Sequence, residues 1–182
     1  MRVIVAGVGY RNLRDHSIGV AVADRLEHEA WPDGVVVEDL SYNPIAVVQR
    51  LDDEPADGRF ERAVFVAAPE RRGRPPGTVV AYRWDGVLPG DDEIHRAVTE
   101  AVTGVISLDN TLVVSRHFGA LPDEIVVVEV EPAIQGFGDS FSDVVARRFD
   151  TVCALVYTYA THADAVERLP RVPLGGPSLV RA

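Results

Sequence analysis

A chain that opens with a β-branched run, turns on two glycines and resumes as a helix has few folds open to it. Residues 1–26 read MRVIVAGVGYRNLRDHSIGVAVADRL. Arg2 to Ala6 suit a short strand covered on both faces. Gly7 and Gly9 follow where the backbone must turn tightly. A loop then carries Asn12, Arg14, Asp15, His16 and Ser17, and Gly19, Val20, Val22, Ala23 and Leu26 begin a helix. Open α/β sheets place their ligands beyond the carboxyl ends of the strands. Asp15 and His16 are therefore the first candidates for an active site.

The remainder alternates in the same manner. Strands are expected at Val35 to Val37, ending in Glu38 and Asp39, and at Arg62 to Ala68, Thr78 to Trp84 and Glu124 to Val130. Helices are expected at Pro44 to Leu51, Asp91 to Val102, Ser107 to Phe118 and Ser142 to about Tyr159. The alternation within Thr78 to Trp84 suggests a wetter face or an edge position. The arginines of Pro69 to Gly77 read as solvated loop charges. Ser107, Asp109 and Thr111 compete to cap the helix that follows them. Strands alternating with helices predict a three-layer α/β domain over residues 1–160, a mostly parallel twisted sheet between helices. Prolines and Gly175-Gly176 predict a loosely held tail over 161–182.

Composition narrows the partners. The chain has 182 residues and a net charge of −10, with a pI near 4.9. Nucleic acid and anionic membranes, which need a basic face, are not expected partners. All 18 basic residues are arginine, which points to codon bias. A single cysteine excludes an internal disulfide framework and a multi-cysteine zinc site. Cys153 lies in the apolar run Val152 to Val156 and reads as a buried structural thiol. The opening lacks the pattern of a secretory signal, and the expectation is a cytoplasmic protein.

A dinucleotide reading competes for the opening, since a strand, Gly7-x-Gly9, a helix and a second strand ending in acids outline it. Asn12 stands where the third glycine belongs, and Asp15 would oppose a pyrophosphate. Neither Ser115 nor His117 has an acid suitably arranged, and no Gly-x-Ser-x-Gly elbow is present.

Val5-Ala6-Gly7-Val8-Gly9, then Asp15-His16-Ser17-Ile18-Gly19-Val20, resembles the opening of the hydrogenase maturation endopeptidases. Asp39, Pro76-Gly77-Thr78, Val126 to Pro132 and Gly136-Phe137-Gly138-Asp139-Ser140 follow the same family's order, over roughly residues 1–160. The family trims the C-terminal extension from the nickel-loaded large subunit of a nickel–iron hydrogenase. The resemblance implies a five-stranded sheet, a protein-precursor substrate and cleavage of its C-terminal peptide. It implies nickel or another divalent metal bridging enzyme and substrate, with the metal belonging to the substrate.

By the same resemblance Asp15 and Asp39 become acid–base candidates and His16 and Asp109 metal ligands. His16 stands where the family has a metal-contacting glutamate, Ala67 where it has an aspartate, and Asp109 where it has a histidine. All three metal-ligand positions are thus substituted. The alternative function is a non-catalytic homologue that binds a protein or peptide through the same cleft. Residue by residue, plainer roles stay open: a helix-capping or Asx contact for Asp15, a solvated loop position for His16, a cap for Asp109 and loop ordering for Asp39.

Overall fold

The computed structural model describes residues 1–177. Six strands form one sheet: β1 (Val3–Gly7), β2 (Val35–Asp39), β3 (Arg62–Ala67), β4 (Val79–Trp84), β5 (Glu124–Val130) and β6 (Arg171–Val172), in the order β2-β1-β3-β5-β4-β6. Seven helices connect or cover them: α1 (Ile18–Leu26), α2 (Pro44–Asp52), α3 (Asp91–Val102), α4 (Leu108–His117), α5 (Asp143–Ala146), α6 (Phe149–Thr161) and α7 (Ala163–Glu167). β1, β2, β3 and β5 are mutually parallel, whereas β4 runs antiparallel to β5 and parallel to β6.

The central strands look uniformly apolar in sequence because each feeds two cores. Ile4, Ala6, Phe65 and Val127 point to one side, where they meet Val47 and Leu51 of α2 and Leu108 and Leu112 of α4. Val3, Val5, Val64, Val66, Val126 and Val128 point to the other, against Ile18, Val22 and Leu26 of α1 and Val152 and Val156 of α6. α3 packs Ile94, Ala97 and Ala101 on Val113 and Val114 of α4 and Val48 of α2. The alternation in β4 is real: Val80, Tyr82 and Trp84 are buried and Val79, Ala81 and Arg83 half-buried.

Three expectations change. The sheet has a sixth strand, and the single last helix is two, α5 and α6, separated at Arg147 and Arg148. Residues 161–177, expected as a loose tail, hold α7 and β6, and Gly175 N–H donates to the Tyr82 hydroxyl at 3.1 Å. Residues 178–182 of that expected tail lie outside the described residues. Among the described residues no helix is long and apolar enough to cross a membrane.

From β1 the chain crosses to β2 on one side, and from β3 it proceeds to the other. The switch point therefore falls between β1 and β3, where an open sheet has room for a ligand.

Candidate functional site

A cleft of about 350 Å³ opens at this switch point. Its walls are the turn after β1, with Gly9, Tyr10 and His16; the end of β3, from Ala67 to Arg71; and the start of α4, with Ser107 and Asp109. The first wall is held by close backbone approach. A Cβ on Gly7 would lie 2.2 Å from the Gly19 carbonyl oxygen, and one on Gly19 would lie 2.3 and 2.4 Å from those of Val8 and Val66. Only glycine lets the start of α1 sit against the ends of β1 and β3.

The four site candidates divide. His16 and Asp109 line the cleft together with Ala67. His16 is held in a 3₁₀ turn, Arg14–Ser17. Its Nε2 is buried without a hydrogen-bond partner, 3.7 Å from Oε1 of Glu70.

Asp15 and Asp39 line no part of the cleft, which redirects the expectation that they act there as acid–base groups. Asp15 is fully buried and its carboxylate is consumed. It accepts from the backbone N–H groups of Ala133 (2.8 Å), Ile134 (2.9 Å) and Ser142 (2.7 Å) and from the Ser142 hydroxyl (2.8 Å). Burial pushes its pKa up, but these four donors together outweigh burial and hold it below the usual aspartate value. Asp39 accepts from Ser41 N–H at 3.0 Å and from Arg11 at 3.1 Å, in a separate groove beside β2. Ser41 in turn accepts from Gly9 N–H at 3.0 Å, so Asp39 orders the loop that braces the glycine turn.

Asp109 is not the cap of α4; Ser107 is, its hydroxyl accepting from Asn110 N–H at 3.2 Å. Both Asp109 oxygens are gripped by Arg71, at 2.7 and 2.6 Å. The same guanidinium reaches Glu129, 2.6 Å away. Glu129 is fully buried on β5, directly beside Ala67 in the sheet register. It also accepts from Arg74 and from the Tyr82 hydroxyl. Burial pushes the Glu129 carboxyl up, but the two arginines and Tyr82 hold it below the usual range. Glu131 accepts the Arg71 backbone N–H at 3.0 Å, and its own carboxyl is raised by burial.

The arginines of Pro69 to Gly77 are thus not simply solvated. Arg71 and Arg74 turn inward because Glu129 sits in a strand otherwise closed to water, and a buried carboxylate demands cations and donors. That demand was the available signal: one acid inside the apolar run of Glu124 to Val130, with arginines unassigned nearby.

The residues present do not fit a resident divalent metal. Among the described residues no three His, Cys, Asp or Glu side chains gather as a ligand set. Ala67 offers a methyl group, and Asp109 spends both oxygens on a guanidinium whose charge would repel a dication.

A mostly parallel α/β sheet with this element order has the fold of the hydrogenase maturation proteases. The hydrogenase maturating endopeptidase HybD of E. coli superposes with a TM-score of 0.62 at 22% identity, covering 89% of this chain and 94% of that one. A hydrogenase 2 maturation peptidase from Thaumarchaeota archaeon SCGC_AB-539-E09 gives 0.60 at 24% identity, covering 88% and 99%. The [NiFe] hydrogenase maturation protease HycI of Thermococcus kodakarensis KOD1 gives 0.62 at 18%, covering 92% and 93%. No protein-family model matches the chain, and no curated protein does.

Proposed function

We propose that the chain is a hydrogenase maturation protease-like protein whose cleft receives the C-terminal peptide of a metalloenzyme precursor and cleaves it. One observation carries the reading: His16, Ala67 and Asp109, far apart in sequence, line one cleft at the switch point of this fold. They are the three positions that the family resemblance singles out. The substrate class is a hydrogenase large-subunit precursor, and any nickel arrives as part of that substrate. His16 brings to the cleft wall an imidazole nitrogen that makes no hydrogen bond within the protein, with the Glu70 carboxylate 3.7 Å away. A cytoplasmic location accompanies the reading, and the net charge of −10 suits a protein rather than a nucleic-acid partner.

A second reading, binding without cleavage, is favoured by a separate observation. The Arg71 clasp occupies both oxygens of Asp109 and Ala67 offers only a methyl group, so two of the three positions singled out by the resemblance are unavailable for metal or acid–base chemistry. Mass spectrometry of precursors incubated with the purified protein decides between the two. Loss of a C-terminal peptide that stops in His16→Ala supports cleavage. A stable complex with an intact precursor supports the second reading, and neither complex nor cleavage across hydrogenase-type precursors rejects both.

A further inference from the structure

The loop from Pro132 to Ser142 is held more firmly than its exposure would require. Its two ends are tied to the fully buried Asp15 through the backbone N–H groups of Ala133, Ile134 and Ser142. Its middle is tied to the first loop: Arg14 N–H donates to the Gly138 carbonyl at 3.0 Å, and Gly138 N–H to that of Asn12 at 2.8 Å. Leu13 and Gly138 form a β-bridge. Gly136 and Gly138 both have φ of +154°, a conformation that favours glycine. Between them Phe137 is 88% exposed, flanked by the partly exposed Ile134.

A phenylalanine on a floppy loop would turn toward apolar surface. Here the backbone is fixed on both sides and the ring is held outward. Leaving it in water forgoes about 2 kcal/mol of burial. Rigidly presented aromatic side chains are the usual anchors of protein interfaces. The platform also adjoins the cleft, since Gln135, two residues before Phe137, lines it. Phe137 itself lies outside, so a short peptide seated in the cleft does not need it.

We propose that the Pro132–Ser142 loop is a docking platform for the folded body of the precursor, with Phe137 as its apolar anchor. The proposal rests on the precursor reading above. It assigns the occupant as a protein that feeds its C-terminal segment into the cleft and covers Phe137 with an apolar pocket of its own. Asp15 then acts as the post that sets the height and direction of the platform.

The test measures binding of two probes, a hydrogenase large-subunit precursor and a synthetic peptide of its C-terminal extension, to wild type, Phe137→Asp and Phe137→Leu. The expected result is a loss of at least about ten-fold for the precursor in Phe137→Asp. Phe137→Leu should keep most of the affinity, and peptide binding should be equal in all three. Equal precursor binding by Phe137→Asp overturns the platform while leaving the cleft reading intact. So does a parallel loss of peptide binding. Sedimentation showing that wild type pairs with itself through Phe137 also overturns it, giving the surface to a second copy. Wild type binding neither probe overturns the cleft reading and the platform with it.

Discussion

The Arg71 guanidinium bridges Asp109 and Glu129, with its Nη2 2.6 Å from an oxygen of each. The two carboxylates are unequal partners, one partly exposed at the cleft and the other sealed in the sheet. Asp109→Ala should cost no more than about 1 kcal/mol, because solvent screens that half of the bridge. Arg71→Met should cost more, about 1.5–3 kcal/mol, because fully buried Glu129 then loses one of its two cations and keeps only Arg74 and the Tyr82 hydroxyl. Urea unfolding of both variants measures the asymmetry, and equal losses would contradict it.

The same clasp bears on metals. Calorimetric titration of wild type with nickel, cobalt or zinc should show no saturable binding that either His16→Ala or Asp109→Ala removes. Saturable binding abolished by both substitutions would mean that Arg71 yields to the ion.

Asp15 supplies a prediction about acid. Its folded pKa is depressed below an unfolded value of about 3.9. Its stabilisation is therefore complete above that value and is lost as pH falls through the folded pKa. Asp15→Asn should flatten the decline in melting temperature below about pH 4. Asp15→Ala, which takes the acceptor from the buried Ser142 N–H and hydroxyl and from the part-buried N–H groups of Ala133 and Ile134, should cost about 2–3 kcal/mol at neutral pH.

Gly19→Ala should largely abolish folding. The added methyl would meet two carbonyl oxygens at 2.3 and 2.4 Å, and neither is the end of a flexible side chain. Circular dichroism of the expressed variant decides this, and a native-like melt would show that α1 slides outward.

Cys153 should resist alkylation in the native state. Burial pushes its thiol up to about 11, so the thiolate is scarce at neutral pH. Iodoacetamide labelling of half-buried Cys153 should be slow in the native state and several-fold faster in denaturant; equal rates would mean that burial does not raise the thiol.

What could be read in advance follows from where information is local. The opening strand, its glycine turn and α1 were legible because strand period, turn chemistry and helix period agree within Met1 to Leu26. The grouping of His16, Ala67 and Asp109 was reached only through the family resemblance, since nothing in their spacing requires it. The loop-ordering role of Asp39 was among the plain roles left open, whereas the fate of Asp15 was hidden because three of its four donors are backbone N–H groups, which any sequence supplies. The Arg71 bridge was missed because pairing across 58 positions leaves no periodic mark. The extra strand escaped because Arg171 and Val172 are too few to show a pattern.

The position of β6 also orders events during synthesis. Until Arg171 and Val172 arrive, the Arg83–Trp84 end of β4 is an unpaired edge. Until Gly175 arrives, the Tyr82 hydroxyl lacks its backbone donor. A nascent chain therefore carries an adhesive strand through the making of the ninety residues that separate Trp84 from Gly175. Completion of the sheet waits for residues 171–175, and translation that stops short of them leaves the end of β4 free to pair with other unfinished copies.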